Sequence, residues 1–369
     1  MLDPAILALL LVSLTVSLLL LPAAGFAIQV ARHWDLSSSS ERQLALERRT
    51  YLIATLLTFI FIAESIALVL FVHTAESLSN RFVGAMCATG VLGVNPWGWP
   101  TLFLKIAVFF ACAVWSILNR LDNQAPDYPL ARIKYFLLLA IVPLVLGAAA
   151  IQLLYFLNMD RDIITSCCGS LFTPAGDGAA AEIAGIAPRT TLIAFYASGA
   201  AVLASGVRVL RTATSFDYDL LVNRLVTTTY KSANLRRRVL LRTATPWQRC
   251  GVWFAAAGAL AFAAGLVAIV SVIALYIYEH PQHHCPFCIL KAEYDFVGYW
   301  LYIPLFGATA FALGVGVISP WGRIETLKEA IIADTRRFAL LALLLFISFY
   351  GVATWVMVRS NLTMIGIWW

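Results

Sequence analysis

The chain has 369 residues, of which 61% are hydrophobic and 12% are charged, and its formal net charge is +6. Soluble proteins average about 45–50% apolar residues and about 25% charged residues. A water-soluble domain of this length could not bury so much apolar surface, so the composition excludes a soluble enzyme. Lipid is the expected solvent for most of the chain, and the small net charge does not indicate nucleic-acid binding.

Eight apolar runs are long enough to cross a bilayer, because about 20 helical residues span about 30 Å of hydrocarbon. They cover residues 4–30, 51–73, 101–119, 135–157, 190–207, 250–278, 297–318 and 338–358. The first run lacks the basic start of a signal peptide, so we interpret it as a retained helix. The predicted fold is an all-α polytopic membrane protein, with residues 1–369 forming a single integral membrane domain.

The positive charges predict the orientation of the helices. Most of the 26 lysines and arginines fall in one alternate set of connections, at residues 31–50, 119–134, 207–249 and 319–337. Cytoplasmic loops carry an excess of these residues, so this set is predicted to be cytoplasmic. Residues 74–100, 158–189 and 279–296, together with both termini, then lie outside. The expected location is an inner (cytoplasmic) membrane facing a periplasm or its equivalent.

The densest group of soft, titratable side chains lies in the last of these outer connections. Residues 279–300 read E-H-P-Q-H-H-C-P-F-C-I-L-K-A-E-Y-D-F-V-G-Y-W, and they contain three of the five histidines together with Cys285 and Cys288. The other cysteines on the predicted outer side are Cys87, Cys167 and Cys168. If the three outer loops converge, these residues form one thiol-rich site. An oxidising compartment favours disulfides, but an odd number of cysteines cannot all pair.

One interpretation of this site is thiol redox chemistry. Proline suits the first position of a helix, so Pro286 predicts a helix start with Cys285 as its N-cap. The helix dipole and Lys291 would then stabilise a thiolate on Cys285. The segment C-P-F-C-I-L-K also resembles the Cys-x-x-Cys that opens a transmembrane helix in the bacterial quinone-linked disulfide-forming membrane proteins. The resemblance covers only these seven residues, and those proteins are shorter, four-helix bundles.

The corresponding function is a membrane thiol-disulfide oxidoreductase or electron carrier. In this scheme Cys285 attacks, Cys288 resolves, and the remaining outer cysteines relay electrons; these are Cys87, Cys167 and Cys168. The electron donor or acceptor would be a quinone or a periplasmic redox protein. The aromatic residues expected to hold the quinone are Phe296, Tyr299, Trp300 and Tyr302.

The same residues also predict a metal site. His280, His283, His284, Cys285 and Cys288 could offer two imidazoles and two thiolates to zinc, and copper(I) would accept the thiolates of the other outer cysteines. Covalent haem c is disfavoured because Ile289, not histidine, follows Cys288. A b-type haem between His73 and His280 is a third version. A metal-carrier protein or other membrane subunits would be the partners. The remaining alternative assigns no chemistry to the site: the chain is a structural subunit whose disulfides brace its loops.

Glu64 is the ionisable residue that stands out within the apolar runs. A carboxylate at that depth is costly, so it is a functional candidate. His73 lies about 13 Å farther along a helix, at about 1.5 Å per residue, so the two residues could form a proton path. Glu64 could equally bond a neighbouring helix through Ser65 or Gln152. Lys105 is expected near an outer helix end, where its side chain can reach water.

Overall fold

The structure, a computed structural model, describes residues 3–35, 40–160, 183, 185–229, 233–322 and 324–363, with the backbone alone between residues 214 and 248. Every regular element in these ranges is a helix. Eight of the helices are long and apolar enough to cross a membrane, and each contains one of the eight predicted runs. The predicted class, an all-α polytopic membrane protein, is confirmed.

The chain divides into two compact units. The first comprises Met1–Asp122, Asp127–Gly185 and Gln282–Lys291. The second comprises Asn123–Pro126, Ile186–Pro281 and Ala292–Trp369. The short segment Gln282–Lys291 therefore belongs to the first unit, although the chain on both sides of it belongs to the second. This segment carries the Cys-x-x-Cys motif.

In its described residues, the first unit has four long helices and one short helix. They are α1 (Pro4–His33), α2 (Glu41–Leu78), α3 (Ala88–Leu92), α4 (Gly98–Asp122) and α5 (Ala131–Leu157). Two of these helices, α1 and α2, start at side-chain caps: the Asp3 side chain accepts a hydrogen bond from the backbone of Ala5 at 2.9 Å, and Ser40 accepts one from Gln43 at 3.4 Å. Large apolar side chains from α1, α2, α4 and α5 form one buried core, in which Trp115 makes an edge-on ring contact.

A buried ion pair closes the turn between α4 and α5. The Lys134 ammonium lies 2.6 Å from one Asp122 oxygen, and neither side chain is exposed. The other Asp122 oxygen accepts the Leu130 N–H at 2.8 Å, and Lys134 also donates to Asn119 at 3.1 Å. Lys134 was predicted to be one of the charges of a cytoplasmic loop. It lies in a helix with its charge balanced by Asp122, because α4 and α5 extend well into the expected connection at residues 119–134.

The described part of the second unit contains four long helices and one short helix. They are α6 (Pro188–Thr229), α7 (Ala233–Ala268), α8 (Ala274–Tyr278), α9 (Val297–Ile318) and α10 (Lys328–Arg359). A π-helical segment, Ile269–Ile273, joins α7 to α8, so that the helical backbone runs without interruption to Tyr278. Much of the connection expected at residues 207–249 has a helical backbone, because α6 and α7 both continue into it.

Helices α7 and α9 approach closely because small residues lie at their contact. A Cβ added to Gly258 would lie 2.7 Å from the Cβ of Ala312, and one added to Gly316 would overlap the Cβ of Ala255. Small residues at such contacts let two backbones approach within a membrane, where packing replaces the hydrophobic effect as the driving force. The α7–α9 contact therefore depends on these glycines.

Candidate functional site

Three cysteines from two distant parts of the chain meet within the first unit. The Sγ atoms of Cys87, Cys285 and Cys288 all lie within 4.8 Å of one another, and those of Cys87 and Cys285 are 3.2 Å apart. Cys87 and Cys285 have no exposed surface, and Cys288 is 7% exposed. In the described part of the chain, this is the group of cysteine, histidine or acidic side chains that could hold a metal ion.

The position of Cys87 follows from a short buried helix that sequence analysis missed. Cys87 directly precedes α3, and its carbonyl accepts the Gly90 N–H at 3.1 Å. All five residues of α3 are buried, although residues 74–100 were predicted only as an outer connection between two spanning helices. The Tyr155 hydroxyl donates to the Val91 carbonyl at 2.9 Å and so ties α3 to α5. Gly98 permits this packing, since a Cβ there would lie 2.8 Å from the Tyr155 ring.

The Cys-x-x-Cys segment forms a turn, so the prediction that Pro286 opens a transmembrane helix is wrong. Cys288–Leu290 makes one 3₁₀ turn, and the next long helix, α9, begins only at Val297. Asp295 and Phe296 have positive φ angles of 51° and 54°, which interrupt a helical path. Cys285 is therefore not a helix N-cap, and the helix dipole does not act on it. The seven-residue resemblance does not extend to the helix start that characterises the resembled family.

Three polar side chains lie at or beside the cysteine segments. The Thr89 hydroxyl lies 3.3 Å from the Cys285 Sγ, and Thr89 is fully buried. The Lys291 ammonium lies 2.9 Å from a Glu76 oxygen and donates to the Met86 carbonyl at 3.1 Å. Lys291 was predicted to act on Cys285, whereas Thr89 and Glu76 were not singled out. Only the fold brings these last two residues to the motif.

Phe287 is one of the two residues between the cysteines of the motif. Its ring packs against an aromatic pair of α4. Its centroid is 6.2 Å from that of Trp99, which in turn lies 6.1 Å from the Phe103 ring. Trp99 and Phe103 lie in the first two turns of α4. The aromatic contact therefore fixes the Cys-x-x-Cys turn against the start of α4.

The histidines predicted as ligands do not join the three-cysteine group. His283 and His284 are half-buried in the first unit, and His280 is exposed in the second unit. His73 lies inside α2, with an exposed side chain, and not at a helix end as expected. The third ligand that the fold supplies is thus Cys87. Cys167 and Cys168, the other predicted relay residues, lie outside the described residues.

Glu64 is buried in the middle of α2, as its position in an apolar run predicted, with 5% of its surface exposed. Its predicted partners bond elsewhere. The Ser65 hydroxyl donates to the Phe61 carbonyl at 2.9 Å, and the Gln152 amide donates to Ser13 at 3.0 Å. The expected bond from Glu64 to either residue is therefore wrong, because the hydrogen bonds of both side chains go to other acceptors.

Lys105 of α4 provides the opposite charge that sequence analysis did not assign to Glu64. Lys105 is 2% exposed, and the two charges interact electrostatically. The Lys105 ammonium also lies 6.0 Å from the centroid of the Phe71 ring. The prediction that Lys105 reaches out to water is wrong, since its side chain is buried within the unit, where its partners are the Glu64 carboxylate and the Phe71 ring.

The aromatic residues predicted to hold a quinone lie at the start of α9 in the second unit. Phe296, Tyr299 and Trp300 are 51%, 44% and 65% exposed. The Phe296 and Tyr299 rings pack at 6.2 Å between centroids. Exposed aromatic rings are common at membrane–water interfaces, so this placement is compatible with an interfacial position. Their role with a quinone stays a prediction.

Comparison of the chain with protein-family models, curated proteins and solved structures finds no match. The class of the protein is therefore defined by its own helices and by the cysteine cluster. It is a helical protein with eight helices of membrane-spanning character in its described part, and it has a buried cluster of three cysteines that could bind a metal ion.

Proposed function

We propose that the protein binds a soft metal ion, zinc(II) or copper(I), through Cys87, Cys285 and Cys288. The closeness of the three Sγ atoms carries this proposal: those of Cys87 and Cys285 are 3.2 Å apart, and all three lie within 4.8 Å of one another. Zinc–sulfur bonds of about 2.3 Å put the sulfurs of a tetrahedral site about 3.8 Å apart. Copper(I) also favours thiolate ligands. Small shifts of side chains would bring the three sulfurs to the separation that one ion requires.

Burial supports a metal ion over three independent thiols. Thiolates removed from water are costly unless a cation balances their charge, and a bound metal ion is such a cation. Binding would displace the thiol protons, so affinity should fall as the pH is lowered. Burial also hinders attack on these sulfurs by a thiol of a soluble protein.

The predicted orientation gives the proposed site a biological setting. If the lysine- and arginine-rich connections are cytoplasmic, Cys87 and the Cys-x-x-Cys turn belong to connections on the outer side. A periplasmic metal carrier, or another subunit of a membrane complex, could then deliver the ion or receive it. The role would be metal transfer or assembly of a metal centre at the inner membrane.

Removing any one cysteine of the cluster should abolish stoichiometric metal binding. We expect zinc or copper at close to one ion per chain in protein purified without chelators, and an occupancy at least about tenfold lower in Cys87→Ala, Cys285→Ala and Cys288→Ala. Elemental analysis by mass spectrometry measures the occupancy. Cys112→Ala and Cys250→Ala are matched controls, since both residues are buried cysteines outside the cluster. Wild-type protein without either metal, or cluster variants that retain it, would contradict the proposal.

A second candidate function is thiol redox chemistry, and the 3.2 Å separation of the Cys87 and Cys285 sulfurs favours it. Formation of a disulfide between them would release two electrons and two protons, which would reduce a membrane quinone to the quinol. Cys288 could then open that disulfide and exchange partners. Alkylation of the purified protein followed by peptide mass spectrometry separates the two functions. A Cys87–Cys285 disulfide that forms on addition of quinone, in metal-free protein, would support the redox function.

A further inference from the structure

We propose that Glu76 and Lys291 form a clamp that holds Cys87 against Cys285 and Cys288 in the geometry a metal ion needs. This inference rests on the proposed metal site and assigns positioning roles to two residues outside it. Neither side chain is required to touch the ion.

The clamp holds both peptide groups of Cys87. One Glu76 oxygen accepts the N–H of Ala88, on one side of Cys87, at 2.8 Å. The Lys291 ammonium donates to the carbonyl of Met86, on the other side, at 3.1 Å. The second Glu76 oxygen pairs with the Lys291 ammonium at 2.9 Å. Hydrogen bonds to charged groups are stronger than those between neutral groups, so the backbone at Cys87 is held firmly.

Lys291 also holds the other cysteine segment. Its backbone N–H donates to the Cys288 carbonyl at 3.0 Å and closes the 3₁₀ turn that starts at Cys288. Lys291 thus bonds Cys288 through its backbone. Through its side chain, it bonds the peptide group that precedes Cys87. The position of Lys291 fixes the distance between the two segments that supply the sulfurs.

Glu76 connects the clamp to a rigid element. It lies in the last turn of α2, and the Ser79 hydroxyl donates to its carbonyl at 2.7 Å. The chain between Arg81 and Cys87 contains no regular helix, and Met86 is 70% exposed. Without Glu76, the Cys87 segment would lose its side-chain link to the end of α2. A three-sulfur site needs all its ligands at once, so added freedom at Cys87 should weaken metal binding.

The clamp predicts weaker metal binding in two variants that leave all three cysteines in place. Loss of residues that orient metal ligands typically lowers affinity by about 10–100-fold, and we expect this range for Glu76→Ala and Lys291→Met. Competition between the purified protein and a chromophoric chelator measures the affinity for zinc(II) and for copper(I). Arg81→Met is the matched control, because it breaks the Arg81–Asp3 ion pair of 2.8 Å just beyond the end of α2.

Two further variants separate positioning from simple charge attraction. Lys291→Arg keeps a cation that can reach Glu76 and the Met86 carbonyl, so it should retain most of the affinity. The double variant Glu76→Lys with Lys291→Glu restores opposite charges. Its lysine cannot accept the Ala88 N–H, however, and its glutamate cannot donate to the Met86 carbonyl. Its affinity should therefore stay low, and full recovery in this variant would overturn the clamp.

A metal-independent measurement distinguishes failure of the clamp from failure of the metal proposal. Diamide joins two thiols as a disulfide and takes up their two electrons and two protons. In metal-free protein, the Cys87–Cys285 disulfide should form at least about fivefold more slowly in Glu76→Ala and Lys291→Met than in the wild type and Arg81→Met, because the sulfurs meet less often. Unchanged rates and affinities would overturn the clamp. Slower cross-linking in a protein whose wild type binds no metal would support the clamp and overturn only the metal site.

Discussion

The Asp122→Ala variant is expected to unfold more easily than the wild type by about 3–5 kcal/mol, because the substitution leaves a buried lysine without its counter-charge. Asp122 and Lys134 are both inaccessible to solvent, and their charged atoms lie 2.6 Å apart. The substitution also removes the acceptor of the Leu130 N–H. Equilibrium unfolding in mixed detergent micelles, followed by circular dichroism, measures the difference in free energy.

The partner substitution tests whether the lost charge balance causes this effect. Lys134→Met removes the cation, so combining it with Asp122→Leu should recover much of the stability lost in Asp122→Ala. Replacement of a buried ion pair by apolar residues of similar size is often neutral or stabilising. The loss of stability in the double variant is compared with the losses in Asp122→Leu and Lys134→Met alone. If it equals their sum, the ion pair is not the cause.

The Gly316→Leu variant should lose the close contact between α7 and α9, with a destabilisation near the upper end of the range of about 1–3 kcal/mol for overpacked sites. Even a Cβ at this position would overlap the Cβ of Ala255, and leucine adds three more carbons. The neighbour is itself one of the smallest side chains, so it cannot move aside. The midpoint of thermal unfolding in detergent measures the effect.

Gly351→Leu is the matched control for this substitution. Gly351 lies in α10 of the same unit, is exposed, and has no atom within 4 Å of an added Cβ. Leucine also favours helix more than glycine does, so this variant should be as stable as the wild type or slightly more stable. Equal losses of stability in the two variants would contradict the proposed role of small residues at the α7–α9 contact.

The helices could be predicted well from the sequence because lipid imposes a simple rule. A segment that crosses a bilayer must be both long and apolar, and it must satisfy its own backbone hydrogen bonds. The helical ends were less predictable. Residues near Arg120 and Lys134 are polar enough to suggest a loop, but the buried bonds of Lys134 with Asp122 and Asn119 allow the helices to continue there.

The candidate site could be predicted only in part. Sorting cysteines by the side of the membrane placed Cys87 with Cys285 and Cys288, which the structure brings together. The local rule for Pro286 failed because two later residues with positive φ angles, Asp295 and Phe296, precede the true helix start. Proline is compatible with a helix start but does not by itself impose one.

The residues that surround the cysteines could not be found from sequence spacing. Thr89 and Glu76 are ordinary residues in their own segments, and each becomes important through a contact with a residue about 200 positions away. The same holds for Glu64, a buried residue that interacts electrostatically with Lys105 on another helix. Pairing of charges across helices depends on how the helices pack, which a single sequence does not encode as a local pattern.

The placement of Gln282–Lys291 in the first unit has a consequence for biosynthesis. Cys285 follows Cys87 by 198 positions, so a ribosome adding about 5–20 residues per second makes the two cysteines roughly 10–40 s apart. Of the eight helices of spanning length in the described part of the chain, six have been synthesised by then. A chain that stalls before this point has only one of the three sulfurs, and it cannot form the cluster. Metal acquisition at the proposed cluster would thus be restricted to chains that extend beyond Cys288, and shorter products would not withdraw the ion from its supply.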